Sequence, residues 1–209
     1  MTLITLSASY GAGGSHVGPE LARRLGVPFV DRAIPLEVAK RLHVTADEAA
    51  AHEEGAGGGW LERVLRGFIG TDPGAPAPLP AAEVFSSEDF RRATEEVILR
   101  QAATGQGVIL GRGAMVVLRD DPRVLRVRLD GPADRRAARA AEHEGISLEE
   151  ARARLERNDR ARETYVKRFY GVDPHDPALY HVILDSTAIP LDACVEVILA
   201  AAAALPAPV

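Results

Sequence analysis

The chain has 209 residues, 46% of them hydrophobic, and a formal net charge of −5. This length fits one domain with a sizeable core, and the negative charge argues against nucleic acid as a partner. The single cysteine, Cys194, excludes an internal disulfide, and its apolar neighbours predict a buried thiol. No apolar run is long enough to span a membrane, and residues 1–6 lack the basic start of a signal peptide. We therefore expect a cytoplasmic protein without membrane contact.

A glycine-rich turn lies between the first apolar run and a helical pattern. Residues 3–7 have the character of a buried parallel strand, and apolar positions 17, 21, 22 and 25 predict a helix that opens near His16. Glycines let the turn fold tightly and point its N–H groups toward an anion at the helix start. The predicted geometry is that of a P-loop, with a ligand-free turn as the alternative. The nucleotide-binding candidates are Tyr10, Gly11, Ala12, Gly13, Gly14, Ser15 and His16.

The turn departs from the P-loop pattern G-x-x-x-x-G-K-[ST] at two positions. When Gly13 and Ser15 are placed on the last glycine and the hydroxyl, Ala8 falls on the first glycine and Gly14 on the lysine. That lysine normally reaches the β- and γ-phosphates. The sequence therefore predicts the backbone of a P-loop without its main charge.

Four further apolar runs have the character of strands, at residues 27–30, 108–110, 124–129 and 181–185. Helical patterns separate them, and capping boxes at Thr45 and Ser147 predict two of the helix starts. This alternation predicts a three-layer α/β/α fold with a five-stranded parallel sheet. The predicted helices cover residues 34–42, 60–69, 88–103, 132–145, 147–169 and 190–203. Residues from about 45 to 85, with a proline- and glycine-rich loop at 71–82, are typical of a helical insertion.

Charged side chains follow two of the predicted strands. Asp31 and Arg32 come directly after the second strand, at the edge where open α/β sheets place ligands. They are substrate-binding candidates, and a solvated ion pair is an equal alternative. Arg112 stands between two glycines just past the third strand, well placed to bind a phosphate with its guanidinium fork.

The predicted helix after Ser147 is strongly basic. Residues 152–168 carry seven basic side chains against three acidic ones. A positive patch in an acidic chain favours an anionic ligand, although a solvated helix with i,i+4 ion pairs explains any single arginine. Asp159, Arg162 and Tyr165 are spaced by three and share a helix face. His175 lies between two aspartates, but no second histidine cluster supports a metal site there.

Taken together and in order, these stretches resemble the cytidylate kinase-like family, a branch of the nucleoside monophosphate kinases. The resemblance covers nearly the whole chain. It is carried by Ser9–Gly14, Phe29–Arg32, Gly111–Val117, Asp159–Asp173 and Leu184–Thr187.

The resemblance implies one P-loop NTPase domain of the adenylate kinase type over residues 1–209, with a mobile lid at about 147–172. It implies ATP over residues 8–15, a nucleoside monophosphate near Asp31 and Arg112, and Mg²⁺ bridging the phosphates, with Ser15 as its candidate ligand. The reaction would transfer the γ-phosphoryl group of ATP to CMP or dCMP. The implied catalytic residues are Arg112, Arg157, Arg160 and Arg162, and the implied substrate contacts are Asp31, Arg32, Arg112, Asp159 and Tyr165.

Three residues depart from the pattern of ordinary cytidylate kinases. Gly14 lacks the lysine, as is common in this branch. Leu110 replaces an acidic residue, and Gly113 replaces an aspartate that contacts the nucleotide substrate in the family. We expect Arg112 and the lid arginines to supply the missing charge. Two alternatives stay open, a P-loop kinase for another small acceptor and a nucleotide-binding protein without catalysis.

Overall fold

The computed structural model describes residues 2–31 and 87–205. Within them, five strands form one parallel sheet in the order β2-β3-β1-β4-β5, which confirms the predicted sheet. The strands are β1 (Leu3–Ala8), β2 (Phe29–Val30), β3 (Gly107–Leu110), β4 (Val124–Asp130) and β5 (Val182–Asp185). The predicted helices at 34–42 and 60–69, the insertion at 45–85, the loop at 71–82 and the candidate Arg32 lie outside the described residues.

Six α-helices and one short 3₁₀ helix are present in the described ranges. They are α1 (Gly14–Leu25), α2 (Ser87–Ala103), α3 (Ala114–Val117), α4 (Ala133–Glu144), α5 (Leu148–Tyr170), the 3₁₀ turn Pro177–Leu179 and α6 (Leu191–Ala204). Helix α1 begins at Gly14, two residues before the predicted start, because Gly13 is its N-cap and Gly14 is its first residue. The sequence did not predict α3, since four residues are too few to show a helical period.

The sheet is covered by helices on both faces, which explains why its strands are nearly continuous apolar runs. On one face, Ile4 and Leu6 of β1 pack in a cluster with Leu21 of α1 and Ile198 of α6. On the other face, Leu3 joins a cluster that includes Ile98 of α2, Met115 of α3 and Tyr165 of α5. Cys194 of α6 is buried in the first cluster, as predicted.

Helices α4 and α5 form a hairpin that packs through small side chains. Ala137, Ala140 and Ala151 are buried between them. Ser147 is the N-cap of α5, and its hydroxyl accepts a hydrogen bond from the Glu150 N–H at 3.1 Å, as the capping box predicted. Small residues let the two helices approach closely, so the first half of α5 lies against α4 and its second half reaches the core.

The connections of the chain place a crevice at the carboxyl edge of the sheet. After β1 the chain moves to the β2 side, and after β4 it moves to the β5 side, although β1 and β4 are neighbours. Ligands of open α/β sheets bind at such a point of reversal. None of the helices in residues 2–31 and 87–205 combines the length and the apolar character that a membrane span requires.

Candidate active site

The segment from Ser9 to Gly13, here called the phosphate loop, connects β1 to the N-terminus of α1. Gly11 and Gly13 adopt positive φ values of 74° and 83°. A Cβ atom on Gly11 would lie 2.2 Å from the Arg136 carbonyl oxygen, and one on Gly13 would lie 2.5 Å from Leu191 Cδ2. Conformation therefore favours glycine at both positions, and at Gly11 the nearby backbone leaves no space for a side chain. The N–H groups of His16 and Val17 donate to the Gly13 carbonyl at 3.0 Å, so the N–H groups of Gly14 and Ser15 come before the first bonds of the helix, where anions bind.

A second glycine-rich turn, Gly111–Gly113, follows β3 and presents Arg112. This arginine has a φ of 61°, is only 3% exposed and lines the cleft at the carboxyl edge. Burial lowers the pKa of the Arg112 guanidinium to about 10, against the opposing effects of Tyr165 and Asp31. A pKa near 10 leaves Arg112 positively charged at neutral pH, in surroundings that screen its charge poorly.

Asp159 of α5 is held directly against the phosphate loop. Its Oδ1 accepts a hydrogen bond from the Tyr10 N–H at 2.9 Å, and its Oδ2 accepts one from Arg136 Nη1 at 2.7 Å. Arg136 Nη1 also donates to the Tyr10 carbonyl at 2.8 Å. The Tyr10 hydroxyl donates to Glu144 at 2.5 Å, and burial together with this bond raises its pKa. The α4–α5 hairpin therefore fixes both the backbone N–H and the backbone carbonyl of Tyr10.

Arg162 follows one helical turn after Asp159 and also contacts the strand that leads into the loop. Its Nη1 donates to the Ala8 carbonyl at 3.1 Å and lies 3.8 Å from Asp159 Oδ1. Burial lowers the pKa of Arg162, and the nearby Asp159 opposes that shift. Arg157 and Arg160 are exposed and line the same cleft. With Arg154, four arginines of the helix that the sequence predicted to bind an anion line the cleft.

The carboxyl end of β4 contributes a charged pair that the sequence analysis missed. Arg128 donates to Asp130 Oδ2 from Nε at 3.0 Å and from Nη2 at 2.6 Å, and Nη2 lies 3.3 Å from Ser9 Oγ. Burial opposes the charge on both side chains, but their mutual hydrogen bonds prevail, so the pKa of Arg128 is raised and that of Asp130 lowered. Charged residues inside the otherwise apolar run Val124–Leu129 were the available signal.

His175 is engaged by the same arginine. Its Nδ1 lies 3.1 Å from Arg128 Nη2, and its ligand atom lies within 4.8 Å of carboxylates from Glu163 and Asp173. Arginine can only donate, so Nδ1 accepts and the ring proton is on Nε2. In this geometry His175 is a hydrogen-bond partner of Arg128.

These elements surround one cleft with a volume of about 1500 Å³. The phosphate loop, Asp31, Arg112, Arg128 and the middle of α5 line it. This volume is large enough for two small phosphorylated molecules side by side. Anion-binding backbone and several cations therefore share one crevice at the carboxyl edge of the sheet.

A family model described as the cytidylate kinase-like family matches residues 3–188. That match covers most of the chain and both glycine-rich turns. The chain belongs to the cytidylate kinase-like family. The resemblance inferred from the sequence is thereby confirmed.

Curated relatives of this family member match over shorter stretches. It is 40% identical over 67 residues to a cytidylate kinase of Methanopyrus kandleri. The matched stretch covers 32% of this chain and 35% of that protein. It is 37% identical over 115 residues to a cytidylate kinase of Pyrococcus horikoshii. That match covers 49% of this chain and 57% of the relative. The chain thus spans about a third to just over half of the length of these relatives.

Solved structures agree on the fold. An uncharacterized protein from Eubacterium ventriosum superposes with a TM-score of 0.70 at 18% identity, covering 98% of this chain and 99% of that one. A shikimate kinase from Bacteroides thetaiotaomicron has a TM-score of 0.51 at 15% identity, covering 96% and 97%. A gluconokinase from Sinorhizobium meliloti has a TM-score of 0.51 at 19% identity, covering 97% and 91%. At these identities the likeness establishes the α/β P-loop fold alone.

The cytidylate kinase-like chain places its other predicted site residues in different surroundings. Tyr165 lines the cleft but is only 1% exposed and packs edge-on against Phe169, with ring centroids 4.8 Å apart. His16 is exposed, with Nε2 3.2 Å from Asp192 Oδ1 of α6. The shared face of Asp159, Arg162 and Tyr165 therefore runs from the phosphate loop into the core, because residues spaced by three drift around the helix.

Ser15, the predicted magnesium ligand, is exposed in the first turn of α1 and lines the cleft. Magnesium typically takes one or two protein oxygens and completes its shell with phosphate and water. The Ser15 hydroxyl therefore fits an ion that arrives together with a nucleotide.

Gly113, where ordinary cytidylate kinases carry aspartate, has no room for a side chain. Its φ is 70°, and an added Cβ would lie 2.5 Å from Tyr170 Cε2. The ring of Tyr170 thus fills the space beside Gly113. An aspartate side chain at position 113 would therefore collide with the Tyr170 ring where it now lies.

Proposed function

We propose that this protein transfers the γ-phosphoryl group of ATP to a nucleoside monophosphate, nominally CMP or dCMP. One observation carries the proposal: the phosphate loop, Arg112 and the arginines of α5 line a single cleft. Phosphoryl transfer depends mainly on positioning and on neutralising charge, with little covalent work by the protein. Membership in the cytidylate kinase-like family supports the same reaction class.

In this proposal the phosphate loop binds ATP through its backbone N–H groups and the N-terminus of α1. Arg157, Arg160 and Arg162 bind the transferring phosphoryl group and exclude water. Ser15 would hold Mg²⁺, which supplies charge neutralisation when it is bound with the nucleotide. The segment from about 147 to 172 would act as a lid of a single kinase domain.

The acceptor phosphate would lie near Arg112. That arginine is 3% exposed and carries its charge at neutral pH, since its pKa is about 10. A buried cation acts on a phosphate more strongly than an exposed one does, because little water screens it. Asp31 lines the same cleft and would contact the acceptor nucleoside.

The direct test is ADP release, measured by a coupled assay with ATP, Mg²⁺ and a panel of nucleoside monophosphates. We expect acceptor-dependent ADP, fastest with CMP or dCMP. The absence of acceptor-dependent ADP with every nucleotide would exclude a nucleoside monophosphate kinase. Calorimetric titration with ATP in parallel separates a nucleotide-binding protein without turnover from a protein that binds no nucleotide.

A second candidate is a P-loop kinase for another small acceptor. The observation that favours it is the Tyr170 ring, which fills the space beside Gly113 where ordinary cytidylate kinases carry a substrate-contacting aspartate. Without that carboxylate, the site lacks one hydrogen-bond partner that ordinary cytidylate kinases offer to the acceptor. ADP release with a hydroxylated or phosphorylated acceptor other than a nucleotide, at a higher kcat/KM than with CMP, would decide for this candidate.

A further inference from the structure

Ala8 and Gly14 face each other across the start and end of the phosphate loop. A Cβ atom on Gly14 would lie 2.6 Å from the Cβ of Ala8 and 3.3 Å from Leu110 Cδ1. Two carbon atoms in contact need about 3.5 Å or more, so no side chain fits at position 14 while Ala8 is present. These are the positions of the first glycine and the lysine in the P-loop pattern. The two departures from the pattern are therefore linked, because the Cβ of Ala8 occupies the space that a side chain at position 14 would need.

A cation from another element reaches the same place. Arg162 of α5 donates from Nη1 to the Ala8 carbonyl at 3.1 Å. Arg162 also lines the cleft, so it borders the ligand space while it is bound to β1. The guanidinium thus lies at the carbonyl of Ala8, the residue whose Cβ faces position 14.

Asp159 fixes the position of this cation. Asp159 Oδ1 lies 3.8 Å from Arg162 Nη1 and accepts the Tyr10 N–H at 2.9 Å. Arg136 holds the other carboxylate oxygen at 2.7 Å. Because Asp159 is tied to the loop on one side and to α4 on the other, Arg162 is oriented before any ligand enters.

We infer that Arg162 is the cation that binds the β- and γ-phosphates in place of the P-loop lysine, and that Ala8 and Gly14 are sterically matched to that arrangement. The inference rests on the proposed function, since it assumes that a nucleoside triphosphate occupies the loop. The inferred site differs from an ordinary P-loop because its main phosphate-binding cation belongs to α5. Triphosphate binding therefore depends on α5 being packed against β1.

The competing explanation is that Arg162 only attaches α5 to β1 through the Ala8 carbonyl. Moving the positive charge from position 162 to position 14 separates the two roles. Arg162→Met removes the cation and the attachment together. Adding Ala8→Gly with Gly14→Lys then restores a cation at the P-loop position without restoring the attachment, so only the phosphate-binding role is rescued.

The readout is the dissociation constant of ATP, from calorimetric titration of the purified full chain without acceptor. We expect Arg162→Met to weaken ATP binding by about 10- to 100-fold, the range for one hydrogen-bonded charge. The triple variant should regain most of that affinity. Gly14→Lys alone, with Ala8 retained, should lower the melting temperature, since its Cβ has no space. The matched control is Arg152→Met, an exposed arginine of α5 that pairs with Asp134 at 3.0 Å, and it should change ATP affinity by less than twofold.

Unchanged ATP affinity in Arg162→Met would overturn the inference, as would a folded triple variant that regains nothing. If the triple variant does not fold, Arg162→Lys and Arg162→Gln decide instead. Lysine should keep most of the affinity and glutamine should lose it, and equal affinities for the two variants would refute the role. Since these are binding measurements, ATP binding without transfer to any acceptor would refute the proposed function alone.

Discussion

Two glycine-rich turns follow the neighbouring strands β1 and β3, and they differ in how they provide positive charge. The phosphate loop leads into α1, which has 12 residues, whereas Gly111–Gly113 leads into α3, which has four. A long helix offers an N-terminal field and unpaired N–H groups, and a single turn offers little of either. The phosphate loop carries no cation of its own and receives Arg162 from α5, while the β3 turn carries Arg112 itself.

The difference shows why the charge at the site is divided between elements. Gly14 has no space for a side chain, so its cation has to come from a helix that packs over the loop. Arg112 is 3% exposed and lines the cleft from a turn in which all three residues have positive φ. A turn can thus supply charge directly only where the backbone leaves room for it.

Removing the β3 cation gives the largest expected effect. We predict that Arg112→Gln lowers kcat/KM for the acceptor by about 10²- to 10³-fold, the loss seen when one preorganised donor to a transition state is removed. The measurement is the initial rate of ADP release with CMP. Arg119→Gln, an exposed arginine of the same region that pairs with Asp120 at 3.4 Å, should stay within twofold. A change of less than threefold in Arg112→Gln would show that the turn is not where the acceptor phosphate is bound.

The two turns also contain a matched pair of glycines. Gly11 and Gly111 have φ values of 74° and 73°, but a Cβ on Gly11 would lie 2.2 Å from the Arg136 carbonyl oxygen, while one on Gly111 meets nothing within 4 Å. Gly111→Ala should cost only the conformational term, about 1 kcal/mol in the free energy of unfolding. Gly11→Ala should cost about 3 kcal/mol or more, because backbone must move as well. Urea unfolding of both variants checks this, and equal losses would mean that the loop can shift away from α4.

The sequence predicted the sheet well and the site only in part. Parallel strands are buried on both faces, so runs such as Ile4–Leu6 and Val108–Leu110 are visible as apolar stretches whatever packs on them. Arg136 was missed, because its contact with Tyr10 joins residues 126 positions apart. Periodicity places a residue on a helix face but does not say which distant loop that face meets.

Tyr165 also shows that helical spacing does not reveal which part of the protein a helix face meets. Its spacing from Arg162 predicted a shared face, yet the structure buries it with Phe169 in the core. Helix α5 crosses from the phosphate loop to the core within two turns. No local pattern marks the point of crossing, since it depends on where the β3 turn and α3 lie beneath the helix.

The space beside Gly113 allows a double-mutant cycle on the β3 turn. Gly113→Ala should lose about 2 kcal/mol of unfolding free energy, since its φ is 70° and its Cβ would meet the Tyr170 ring at 2.5 Å. Tyr170→Leu should remove part of that clash, so the double variant should be about 1 kcal/mol more stable than the sum of the single losses predicts. Strict additivity in urea unfolding would show that Tyr170 does not restrict this position.

The smallest expected effect concerns the tie between β4 and the phosphate loop. Burial acts to raise the pKa of Asp130, but its hydrogen bonds from Arg128 lower it more, so the folded pKa is below the usual value of about 3.9. A lowered pKa contributes stability that is complete above the unfolded pKa and is lost as the pH falls through the folded one. Asp130→Asn should therefore cost about 1 kcal/mol at pH 7, and its difference from wild type should shrink below about pH 4. Urea unfolding at pH 7, 5 and 3.5 measures this, with exposed Asp134→Asn as the control. A difference that stays constant down to pH 3.5 would mean that the carboxylate charge is not what binds Arg128 beside the loop.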